Sequence, residues 1–76
     1  MNPDKSLDLR GVSCPVNYVK AKLALEDLEE GQVLEVILDQ GEPIMSVPES
    51  IKEEGHKILN IEPEDHWFRL FIQKIE

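Results

Sequence analysis

The chain has 76 residues, 41% of them hydrophobic, and sixteen acidic against eight basic residues give it a net charge of −8 and a pI near 4.6. That length holds one domain, and a single cysteine excludes an internal disulfide and any multi-cysteine zinc or iron–sulfur site. The acidity argues against direct nucleic-acid binding, because such a surface repels phosphates.

No stretch approaches the roughly 20 apolar residues of a membrane helix, and the first six residues lack the apolar run of a signal peptide. A cytoplasmic protein with no membrane contact is expected, in a compartment where a thiol stays reduced. Residues 1–6 read as a disordered N-terminal end and 7–76 as a single domain.

Leu7, Asp8, Leu9 and Arg10 alternate apolar and polar, as a half-buried strand does, until Gly11 breaks the pattern. Pro15 suits the first position of a helix, where its missing N–H would have had no partner. Helix formers follow, and Gly31 is a natural stop, so a helix is predicted over Pro15–Glu29. On a helical wheel Tyr18, Ala21, Ala24, Leu25 and Leu28 fall on one arc, and Val16, Val19 and Leu23 on another. The first arc is assigned to the sheet because its alanines allow close approach. The second either packs on another helix or lies exposed.

Val33–Asp39 reads as a central strand ended by Gln40, Gly41 and Pro43. Ser46 and Glu49 fit a capping box, so a second helix is predicted from Ser46, approached by Ile44, with Val47 and Ile51 inward and a stop at Gly55. Lys57–Glu62 and His66–Ile75 read as two last strands about a Pro63, Glu64, Asp65 turn. The expected fold is α+β, a two-layer α/β sandwich of order βαβαββ, with two helices on one face of a four-stranded mixed sheet. Phe68, Leu70 and Ile72 would face the core, and Trp67, Arg69, Phe71 and Gln73 the open side, with Trp67 and Phe71 displayed near Ile37.

Cys14 is the strong nucleophile. Directly before a helix-starting proline it would sit at the N-cap, where unpaired N–H groups and the helix dipole favour a thiolate or a persulfide anion. Arg10 upstream and Lys20 along the helix are placed to add positive charge. His56 and His66 read as solvated loop histidines, and Cys14 with both would lack a fourth metal ligand, so neither metal nor cofactor is expected. Glu26, Asp27, Glu29 and Glu30 crowd the end of the first helix, where they read either as a simply solvated surface or as a docking patch.

The string Leu7-Asp8-Leu9-Arg10-Gly11-Val12-Ser13-Cys14-Pro15 resembles the opening signature of the TusA-family (SirA-like) sulfur carriers. Leu25 to Leu28 with Gly31, the strand ending at Asp39, Val47-Pro48, Gly55-His56 and Phe68 to Lys74 extend the resemblance over residues 7–75. It implies persulfide carriage by Cys14, loading by a cysteine desulfurase or other sulfurtransferase, and relay to an acceptor protein. The destinations it implies are tRNA thiolation, cofactor maturation or sulfur metabolism. The chain departs from the usual Cys-Pro-x-Pro at Asn17, which retains an N–H for the sulfur or a partner and would tune partner choice.

Three readings compete. The first is a covalent sulfur shuttle, a persulfide carrier rather than a high-turnover enzyme, with Cys14 catalytic. Arg10, Gly11, Pro15, Val16, Asn17, Val19, Lys20 and Leu23 would form its binding surroundings. The second is a non-catalytic binding or regulatory module in which Cys14 is merely a helix cap. The third, a thiol redox sensor, lacks a resolving cysteine.

Overall fold

A computed structural model of the chain, describing residues 2–75, has the order β1 (Lys5–Asp8), α1 (Val16–Glu26), β2 (Val33–Asp39), α2 (Glu42–Glu53), β3 (Lys57–Pro63) and β4 (Trp67–Gln73). The strands form one sheet in the order β1-β2-β4-β3, with β1 parallel to β2 and β4 antiparallel to both of its neighbours. This is the expected βαβαββ sandwich with a mixed sheet. A parallel β1–β2 pair needs a crossover, and α1 supplies it.

The core lies between the sheet and the helices. Leu34, Val36 and Leu38 alternate inward along β2 and pair in register with Ile72, Leu70 and Phe68 of β4. Ala21, Ala24, Leu25 and Leu28 of the first helical segment and Val47 and Ile51 of α2 close over them. The arc assigned to the sheet is thus the buried one, with Tyr18 packed at its margin.

Several boundaries differ from expectation; β3 runs on to Pro63, which pairs with Phe68 instead of opening the turn, and β4 is Trp67–Gln73 rather than His66–Ile75. β1 begins inside the stretch read as a disordered end: Lys5 and Ser6 pair with Leu34 and Glu35, and Asp4 exchanges hydrogen bonds with Val33. Their polar side chains hid the strand, yet each is satisfied, Lys5 by Asp27 and Ser6 by Glu35. Met1 lies outside the described residues. At the start of α1, Pro15 is the N-cap rather than the first helical residue, after a cis Cys14–Pro15 peptide, so Cys14 stands one position outside the helix.

α1 also ends at Glu26 instead of Glu29. Asp27 and Leu28 bond to carbonyls only three residues back, a tightening of the last turn. The ammonium of Lys74 then takes the carbonyls of Glu26 (3.4 Å) and Leu28 (2.6 Å), placing a positive charge at the negative helix end.

α2 starts at Glu42, not at Ser46. Gly41, at φ 94°, turns the chain straight out of β2, and Pro43 occupies the first helical turn, where its lack of an N–H costs nothing. Ser46 bonds backwards inside the helix to the Glu42 carbonyl at 3.0 Å, so the apparent capping box does not cap.

The open face is a mat of polar contacts. Glu35 accepts from Ser6 (2.7 Å) and Arg69 (2.8 Å), and Arg69 also reaches Glu64 (3.3 Å). Phe71 shares this face but is only 4% exposed, in register with Glu35 and Asn60 and flanked on its strand by Arg69 and Gln73. Long polar side chains therefore cover it, where display to solvent was expected. Trp67 is half-buried, with its Nε1 unpartnered.

Candidate functional site around Cys14

Because β1 and β2 are parallel, both run to the same edge of the sheet, and the first turns of α1 and α2 gather there. The loop carrying Cys14 is fixed to this edge by main-chain bonds. Leu9 continues the pairing of β1 by donating to the Ile37 carbonyl (2.9 Å), and Val12 folds back on Leu9 (3.1 Å). Gly11, at φ 79°, turns its N–H onto the carboxylate of Asp39, the last residue of β2, at 2.6 Å. A side chain at position 11 would strain this turn.

Beyond that anchor Cys14 is exposed. It lines an open pocket of about 220 Å³ with Ser13 and, from the first turn of α2, Glu42 and Pro43. Two helix N-termini thus border one sulfur, and the side chain of Glu42 stands at the same pocket. Cys14 is not the capping side chain: Pro15 holds that position and no side-chain bond caps α1.

Val16 (47% exposed), Val19 (45%) and Leu23 (56%) lie along one side of α1, with Lys20 exposed among them. The arc left open by the wheel is therefore free of the second helix, and it begins two residues from the sulfur. Gly11 and Pro15 belong to the loop itself.

Arg10 is placed elsewhere. Alternation carries it to the open face of the sheet with Asp8, where its guanidinium grips the Asp8 carboxylate through Nε (3.0 Å) and Nη2 (2.7 Å) and lies 4.8 Å from the Trp67 ring centroid. Its charge is committed there instead of to Cys14. Asn17 also departs from expectation. Its N–H donates to the Ser13 carbonyl (3.1 Å), so it is not free for sulfur or partner, and the residue is 0% exposed. It sits on the buried side of α1, four residues before Ala21.

Ser13, Asp39, Glu42 and Pro43 were not singled out from the sequence. Asp39 ends an apolar strand, a position from which a carboxylate can reach a neighbouring loop, but the pocket wall follows only from the parallel pairing. Among the described residues no group of three His, Cys, Asp or Glu side chains is arranged to hold a metal ion, and no helix is long and apolar enough to cross a membrane.

The family model described as Sulfurtransferase TusA matches residues 5–74. A candidate sulfur carrier protein of Archaeoglobus fulgidus is 39% identical over 70 residues, covering 90% of this chain and 80% of the relative. The candidate sulfur carrier YedF of Escherichia coli strain K12 is 33% identical over 72 residues, 95% of this chain and 94% of YedF. The crystal structure of a SirA-like protein from Desulfitobacterium hafniense superposes with a TM-score of 0.79 at 25% identity, covering 95% of this chain and 99% of that one.

Proposed function

The chain belongs to the TusA sulfurtransferase family, and from that premise we propose that it carries sulfur as a persulfide on Cys14, between a donor enzyme and an acceptor protein. The observation that carries this reading is the exposed Cys14 sulfur at a pocket bordered by two helix N-termini. A cysteine kept only to cap the helix would use its side chain for that purpose, and this one does not.

In loading, the Cys14 thiolate attacks the outer sulfur of a donor persulfide. One S–S bond forms as another breaks, and the donor cysteine leaves as a thiolate. In delivery an acceptor nucleophile attacks the outer sulfur and Cys14 leaves as the thiolate. No net oxidation of the pair occurs. A cysteine desulfurase or another sulfurtransferase fits the donor role, and the acceptor serves tRNA thiolation, cofactor maturation or sulfur metabolism. The reading includes a cytoplasmic location, where a lone thiol stays reduced.

Val16, Val19 and Leu23 form the docking platform in this reading, since a partner must bury apolar surface beside the sulfur to bring two sulfur atoms together. Intact-mass spectrometry after incubation with a cysteine desulfurase and cysteine tests the chemistry. One added sulfur is expected, absent in Cys14→Ser and removed by reductant; an unchanged mass would refute the carrier role.

A further inference from the structure

Ser13, Cys14, Glu42 and Pro43 line the Cys14 pocket, and of these Glu42, the exposed first residue of α2, brings a carboxylate. Among the described residues no cation shares that wall. Arg10 is held by Asp8 and stacked on Trp67 at the open face of the sheet, and Lys20 is exposed on α1 outside the pocket lining. A second carboxylate, that of Asp39, lies against the loop through the Gly11 N–H.

Groups on the walls of one pocket of about 220 Å³ stand within about 10 Å of each other, the Debye length at 0.1 M salt. The Glu42 charge therefore acts on a reagent approaching the sulfur without touching the sulfur itself. We infer that Glu42 is a specificity-determining residue of the Cys14 site, disfavouring anionic low-molecular-weight thiols and disulfides and favouring co-reactants that bring a positive charge beside their reacting sulfur. This deepens the carrier reading of Cys14 and rests on it. Small anionic thiols that would attack the outer sulfur and release Cys14 as the thiolate are held off, and a protein partner with a basic residue next to its cysteine is admitted.

Thiol–disulfide exchange tests the charge effect without a persulfide. The Cys14 thiolate attacks one sulfur of a small symmetrical disulfide, a mixed disulfide forms, and the other half leaves as a thiolate, so no further reactant is needed. Intact-mass spectrometry gives the rates at neutral pH with dianionic dithiodipropionate, neutral hydroxyethyl disulfide and dicationic cystamine. Comparing variant with wild type for each reagent cancels the differences between leaving groups. Glu42→Gln should speed the reaction with dithiodipropionate about threefold to tenfold, slow that with cystamine by a similar factor, and leave hydroxyethyl disulfide within about twofold. Glu42→Lys should enlarge both shifts, and about 1 M salt should erase them.

Glu30→Gln removes the same charge from the loop before β2, at the opposite end of that strand from Asp39, and should leave all three rates within about twofold. Glu42 acting only as a favourable acid in the first turn of α2 would lower the melting temperature of Glu42→Gln and move the three rates together or not at all. Either outcome overturns the inference, as would equal shifts in Glu30→Gln. If the opposite shifts appear while a desulfurase adds no sulfur to Cys14, the charge selection stands and the carrier role falls.

Discussion

Asp8 and Arg10 show how one pair of side chains can look like part of an active site and belong to the scaffold. The guanidinium holds the Asp8 carboxyl down from 3.8 to about 2, first by its side-chain bonds and then through the Arg10 backbone N–H. The depressed value means that this contribution to stability is complete above the ordinary carboxylate range and is lost as pH falls from about 4 through about 2. Carbon-detected NMR titration should find the Asp8 midpoint near 2, and in Arg10→Ala it should rise towards 3.8; an unmoved midpoint would deny the pairing. Since both groups are exposed, the effect on unfolding is small. The alternation that buries Leu7 and Leu9 sends residues 8 and 10 to the other face, so the expectation that set Arg10 beside Cys14 ran against a pattern already present in the sequence. The burial of Asn17 was not legible, since nothing in its sequence neighbourhood distinguishes a buried carboxamide from an exposed one at a helix start.

α1 carries two apolar arcs with opposite duties. Ala21 and Leu25 are closed into the core, whereas Val19 and Leu23 are near half-exposed. Leu25→Ala should cost about 2–5 kcal/mol of unfolding free energy, but Val19→Ser or Leu23→Ser only about 0.5 kcal/mol or less. If the exposed arc is the docking platform, those serine variants should still slow desulfurase loading severalfold while their urea midpoints stay near that of the wild type. A large fall in midpoint with normal loading would place the arc in the core instead. Period and composition sufficed for β2 and for the existence and buried face of α1, whose apolar positions recur at fixed spacing, though not for the ends of α1. They failed at α2 because Ser46 and Glu49 have capping-box spacing by coincidence, while the real start relies on the positive φ of Gly41 and the tolerance of the first turn for Pro43.

At the scale of the whole molecule, strand order decides the site and charge decides the response to solvent. The order β1-β2-β4-β3 brings Cys14 to Glu42 and Pro43, residues that local patterning cannot join because pairing between distant strands is not written in either one. The charge is written in the sequence, and its consequence is testable. With a net −8 on a body measuring 30 × 25 × 16 Å, repulsion acts across the full molecule at about 0.01 M salt, where the Debye length is about 30 Å, and is screened to about 10 Å at 0.1 M. The ion pairs opposing it are short, from 2.7 to 3.3 Å between charged atoms, so the same salt weakens them far less. Most are surface contacts worth about 0–1 kcal/mol each; among the described residues only Glu35, 12% exposed and held by Ser6 and Arg69, is well shielded within such a pair. Raising sodium chloride from about 0.01 to 0.1 M at neutral pH should therefore increase the melting temperature. A decrease over that range would mean that ion pairs such as Arg69–Glu35 (2.8 Å) and Lys22–Glu54 (3.0 Å, from α1 to the C-cap of α2) outweigh the excess of carboxylates, and that the acidic surface is compensated locally rather than carried as net repulsion.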